Sequence, residues 1–161
     1  MKRIFLILLL FFLLSTGHVS AIEPVAVPVF TVQSMSDTPV GSAQISQDPR
    51  WILLYLTDGC RHCDDILRIL EVFQGPSLSG RVVIVVGGGA PEDIIALIDA
   101  REKIASLGWY TDPDWSVYKT LPISGTPVVL GIREGVIEWS LAGTPWDVKT
   151  MRSVLLDWIN Y

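Results

Sequence analysis

Unbroken apolar runs alternate along this chain with apolar residues at helical spacing. Trp51-Ile52-Leu53-Leu54-Tyr55-Leu56 has no polar break, the pattern of a strand buried on both faces. Thr57-Asp58-Gly59 then turns the chain. Ile66, Leu67, Ile69, Leu70 and Phe73 follow on one helical face, and Gly75-Pro76 ends that helix. Arg81 to Val86 is a β-branched run and predicts a central strand. Pro91-Glu92-Asp93 opens a predicted helix reaching Leu107, with Gly108 as its stop. Trp109 to Thr111 reads as a short strand, Asp112-Pro113-Asp114 as a turn, and Trp115 to Leu121 as one or two helical turns. Val128 to Ile132 and Val136 to Leu141 flank Arg133-Glu134-Gly135 and predict a hairpin. Thr144-Pro145-Trp146-Asp147 reads as a helix start of the capping-box type. Val148, Met151, Leu155 and Trp158 then mark one face of a C-terminal helix.

The N-terminal part is plainer. Val25 to Val32 reads as a strand interrupted by Pro28, Ser34 to Asp37 as a turn, and Val40 to Ser46 as a second short strand. Before them, Met1-Lys2-Arg3 precedes the apolar run Ile4 to Leu14, and Val19-Ser20-Ala21 is a small-residue cleavage pattern. That is a secretory signal peptide with cleavage expected after Ala21. The run is short for a membrane span, which needs roughly 18 apolar residues. The reading is therefore a signal peptide at 1–21, an extension of edge strand and linker at 22–48, and one domain at 49–161. The protein is expected to be exported, to the periplasm or another extracytoplasmic space, and soluble after cleavage.

Charge changes the picture by exclusion. The net charge is −5, and no basic patch or basic helix suits a nucleic acid. Gly87-Gly88-Gly89 between a strand and a helix invites a nucleotide reading. However, Glu92 stands where a dinucleotide fingerprint needs glycine, no Gly-Lys-Ser/Thr follows, and the acids there would repel phosphate. No nucleotide and no other cofactor is expected.

The chain has two cysteines, Cys60 and Cys63, with Arg61 and His62 between them. The pattern puts them where a strand gives way to a helix, with both sulfurs on one side of its first turn. A structural zinc wants four ligands, and too few stand here, so no metal is expected. A purely structural disulfide remains open, although so short a loop removes little entropy from the unfolded chain. A redox-active dithiol is the reading favoured by the spacing, the helix start and an oxidising compartment.

The order strand, Cys-x-x-Cys, helix, strand, helix, short strand, Thr-Pro, hairpin, helix resembles the thioredoxin fold. The likeness runs from about Trp51 to the C-terminus, and its specific elements are Cys60-Arg61-His62-Cys63 and Gly125-Thr126-Pro127. The implied fold class is α/β, a central mixed β-sheet with helices on both faces. Asp112 to Val129 looks most like exported thioredoxin-like proteins of the cytochrome-maturation and resistance-to-reduction type. The histidine before the second cysteine resembles thiol oxidases and protein disulfide isomerases. Thr126 before the proline is similar to periplasmic disulfide isomerases.

The resemblance implies that Cys60 is the exposed nucleophile and Cys63 the buried resolving thiol, the two forming a disulfide. Pro127 would be cis and face the pair, with Thr126 offering backbone hydrogen bonds to a bound peptide. The chain also departs from the family: Gly59 replaces the aromatic residue before the first cysteine, and Leu54 replaces a buried acid. The implied activity is protein disulfide oxidoreductase, with protein thiols or disulfides as substrates and a membrane-bound redox partner. Arg61 and His62 would favour the Cys60 thiolate, which stabilises the reduced form and makes the disulfide more oxidising. Asp58, Asp64 and Asp65 would oppose them. A dedicated reductase and a non-enzymatic binding or assembly module are the alternatives.

Overall fold

The computed structural model describes residues 23–46, 48–72, 78–89, 91–143 and 147–160. The signal segment, Phe73, Gly75-Pro76 and Thr144 to Trp146 lie outside the described residues. In chain order the elements are β1 (Val25–Ala26), β2 (Thr31–Ser34), β3 (Pro39–Gly41), α1 (Ser42–Ile45), β4 (Arg50–Thr57), α2 (Cys63–Val72), β5 (Val82–Gly87) and α3 (Pro91–Asp99). There follow β6 (Gly108–Asp112), α4 (Ser116–Thr120), β7 (Val128–Arg133), β8 (Val136–Ala142) and α5 (Val148–Asn160).

Among the described residues, eight strands form one mixed sheet in the order β1-β8-β7-β4-β5-β6-β2-β3. β4, β5 and β6 run parallel, and β7 pairs antiparallel with β4. β4 and β5 are central, which is why their sequences are unbroken apolar runs. The pleat sends Ile52, Leu54 and Leu56 to one face, against α2, α3 and α5. Leu53 and Tyr55 go to the other, against Phe30, Ile45 of α1 and Val117 of α4. The fold is thus a mixed sheet with helices on both faces.

Four expectations need correction. Val25 to Val32 is not one interrupted strand. β1 pairs with β8 at one sheet edge, and β2 pairs with β6 near the other. Pro28 has no N–H to extend a ladder, and the chain instead crosses the second face, burying Phe30 on the way. Val40 to Ser46 is not a strand but the end of β3 followed by α1, with Gln44 Oε1 accepting the Gly41 N–H at 3.2 Å.

The predicted 91–107 helix ends at Asp99 and is followed by a 3-10 turn at Glu102–Ile104. Its apolar period fails at Arg101, which leaves the helix to pair with Asp64 and Glu71 of α2. Gly108 is consequently the first residue of β6 rather than a helix stop. Asp147 itself caps α5: its Oδ1 accepts the N–H groups of Lys149 and Thr150 at 2.9 and 3.1 Å. The bond from the Thr150 hydroxyl first, and these backbone bonds after it, hold the Asp147 carboxyl below the usual carboxylate range. Met151, Leu155 and Ile159 of α5 are buried, and Trp158 packs edge-on against Trp139.

Candidate redox site

The site lies at the C-terminal ends of the parallel strands. β4 ends at Thr57, and Gly59 takes a left-handed conformation (φ 69°) that a side chain would strain. The Cys60 N–H donates to the Thr57 carbonyl at 3.3 Å, and the Cys63 N–H to the Cys60 carbonyl at 3.1 Å. The chain therefore makes a tight turn before α2 starts at Cys63. Cys60 stands just ahead of the helix rather than within its first turn.

The two cysteines form a disulfide, with Cα atoms 5.3 Å apart. Their environments differ. Cys63 is 5% exposed and belongs to the core under α2, whereas Cys60 is half-buried and packs against that core from outside it. Leu54 of β4 is buried in the same apolar cluster.

The nearby charges are not equally free. Asp64 pairs with Arg68 at 2.7 Å and with Arg101, which is 11% exposed and also reaches Glu71 at 3.0 Å. Its carboxylate is thereby largely neutralised. His62 Nδ1 lies 3.8 Å from Asp65 Oδ2, both side chains being solvent-exposed. Arg61 is exposed and lines a cavity of about 330 Å³ beside the disulfide. Leu56, Leu67, Val86 and Ile94 give that cavity apolar walls, and Asp58 and Asp93 add carboxylates.

A second loop approaches from β7. The Thr126–Pro127 peptide bond is cis. The Thr126 hydroxyl lies 2.8 Å from that of Thr57, and the Pro127 carbonyl accepts the Gly143 N–H at 2.9 Å. The loop is thus tied to the strand end that leads into the cysteine pair.

Sequence reasoning missed Asp112, which is 0% exposed. Its carboxylate accepts the Tyr55 hydroxyl at 2.9 Å and the N–H groups of Ser116, Val117 and Tyr118 at 2.7, 3.1 and 3.2 Å. Those donors satisfy a charge that burial would otherwise make costly. Burial first, and the Asp112 carboxylate second, push the Tyr55 phenol above its ordinary range. An Asp-Pro turn just before a short helix is the signal that would have marked Asp112 as a cap. This layer also explains the glycine run: a Cβ on Gly88 would stand 2.6 Å from the Trp115 ring, and one on Gly87 would meet the Tyr55 hydroxyl. These glycines make room for aromatic side chains.

No family model matches the chain, and no curated protein does. Solved structures do. A secreted Mycobacterium tuberculosis disulfide oxidoreductase homologous to E. coli DsbE superposes with TM-score 0.64 at 12% identity, covering 80% of this chain and 95% of its own. The pneumococcal exposed lipoprotein thioredoxin Etrx1 of Streptococcus pneumoniae gives 0.61 at 14% identity, covering 81% and 99%. A thiol:disulfide interchange protein of the thioredoxin family from Chlorobium tepidum gives 0.64 at 14%, covering 86% and 99%. At these identities the likeness is one of fold. The chain has the fold of the thioredoxin-like superfamily.

Proposed function

We propose that this chain is an exported thiol–disulfide oxidoreductase that exchanges disulfides with protein substrates through Cys60 and Cys63. One observation carries the reading: beside a cavity that both cysteines line, the disulfide joins a half-buried cysteine to one that is 5% exposed and packed in the core. A structural staple needs no such asymmetry, whereas exchange needs one sulfur within reach and the other shielded.

In the oxidising direction a substrate thiolate attacks Cys60 Sγ. The Cys60–Cys63 bond breaks, and its electron pair leaves on Cys63 Sγ, which takes a proton. A second substrate thiolate attacks the substrate sulfur of the mixed disulfide and expels the Cys60 thiolate. The substrate loses two electrons and the pair gains them. The reverse sequence reduces a substrate disulfide, with Cys60 as nucleophile and Cys63 as resolving thiol. Arg61 and His62 stabilise the Cys60 thiolate, and Thr126-Pro127 holds the substrate backbone.

The Met1 to Ala21 pattern supports export, with the mature chain starting at Ile22 ahead of a 22–48 extension and a 49–161 domain. Two of the structural neighbours are described as secreted or exposed proteins. No helix among the described residues is long and apolar enough to cross a membrane. A membrane-bound redox partner would regenerate the pair.

The His62–Asp65 pair favours a second reading, a dedicated periplasmic disulfide reductase of the cytochrome-maturation type. The Asp65 carboxylate offsets an imidazolium at His62 and so weakens the push toward an oxidising couple. A binding or assembly module that keeps an inert disulfide is the non-enzymatic alternative.

Trapping in cells with Cys63→Ser tests the proposal. Mixed disulfides with cellular proteins are expected on Cys60 and vanish in the double serine variant. A Cys63→Ser protein that accumulates no conjugate would leave only the binding module.

A further inference from the structure

We infer that the cavity beside the cysteine pair is a specificity pocket for a lysine or arginine side chain next to the exchanging cysteine of the substrate. The inference rests on the exchange reading and names the substrates it serves.

Cys60 and Cys63 both line this cavity, so a substrate sulfur joined to Cys60 brings its neighbouring residues to the opening. A volume of about 330 Å³, at the small end of the range for ligand sites, leaves room for one long side chain. The walls are apolar: Leu56 and Val86 stand one residue before the ends of the two central strands, Leu67 belongs to α2, and Ile94 and Leu97 to α3.

The charges decide which side chain fits. Asp64 is committed to Arg68 and Arg101. Asp58 and Asp93 are exposed at the cavity, and among the described residues neither has an ion-pair partner. Arg61 is the cation among the lining residues. Two uncommitted carboxylates therefore outweigh one guanidinium. Apolar walls with net acidic groups at the opening match a side chain that has an aliphatic stem and a cationic head. Lysine and arginine lay their stems on apolar surface and keep the head in polar surroundings. A glutamate there would face like charge.

The test uses the full-length mature protein and short acetylated, amidated peptides holding one cysteine next to Lys, Leu or Glu. Oxidation of each peptide by the Cys60–Cys63 disulfide is followed by stopped flow. Each rate is divided by that peptide's rate with a small aromatic disulfide, which removes intrinsic thiol differences. The Lys peptide is expected to react about fivefold faster than the Glu peptide at low salt, with the Leu peptide between them. The gap should shrink in about 0.5 M salt. Asp93→Asn should narrow it and Asp93→Lys reverse it, while Asp157→Asn, the same charge change on α5, leaves it intact. Equal normalised rates, a faster Glu peptide, or a gap untouched by both Asp93 variants overturns the pocket while exchange itself stands. No exchange with any peptide overturns the exchange reading and this one with it.

Discussion

The hydroxyls of Thr57 and Thr126 lie 2.8 Å apart, although 69 positions separate the residues in the chain. Thr57 ends the strand that delivers the cysteine turn, and Thr126 begins the cis peptide bond. This bond is the direct side-chain link between the two loops of the proposed site. It makes Thr57 a positioning residue.

Thr57→Val keeps the shape of the side chain and removes the bond. Loss of a partly buried hydrogen bond costs about 1 kcal/mol, readable as a lower urea midpoint. The specific outcome is kinetic: kcat/KM for peptide exchange falls, and Thr57→Ser restores it. Equal kinetics in the Val and Ser variants would make the bond merely structural.

Asp112 anchors the other side of the sheet end. Asp112→Ala leaves the Tyr55 hydroxyl and the N–H groups of Ser116, Val117 and Tyr118 without their acceptor. Such losses total about 3–5 kcal/mol, measured by urea unfolding at neutral pH. A loss below about 1 kcal/mol would mean that water replaces the carboxylate.

The raised Tyr55 phenol gives a pH dependence of definite sign. The folded state holds this proton more tightly than the unfolded chain, whose phenol ionises near 10.0. The stabilisation is fully present below that pH and is lost as pH rises through and above it. Tyr55→Phe removes the titrating group, so its urea midpoint should fall less steeply above about pH 10 than that of the native protein. Parallel alkaline declines would contradict the assignment.

The residues that were legible in the sequence share a cause. β4, β5 and the hairpin declare themselves because burial on a central sheet fixes their composition, and Cys60 and Cys63 because a turn and a helix face bracket them. β1 and β2 were not legible, since their places depend on partners far along the chain: Val25 opposite Ile137, Gln33 opposite Thr111. Asp112 read as a plain turn residue because one of its donors, Tyr55, lies on another strand. Arg101 hid the break after α3 for the same reason, its partners being on α2.

In the oxidant reading proposed above, the direction of electron flow rests on His62. A cationic imidazole favours the Cys60 thiolate and hence the reduced form, which raises the potential of the couple. The oxidant reading predicts a value above about −240 mV in a glutathione titration. His62→Ala should lower it, and Asp65→Asn should raise it by removing a negative charge from beside the cysteine turn. A value near about −270 mV or below, or no response to His62→Ala, would favour the dedicated reductase.

In the proposed exchange Cys60 attacks and Cys63 resolves. Single-cysteine variants compared under native conditions test it most directly. Reduced Cys63→Ser and Cys60→Ser proteins are mixed with an aromatic disulfide, and release of the aromatic thiol is timed. Cys60, alone in the Cys63→Ser variant, should react at least about a hundredfold faster than Cys63, alone in the Cys60→Ser variant, because the latter thiol is buried under α2. In denaturant the two rates should converge. Equal native rates, or a faster Cys63, would overturn these roles.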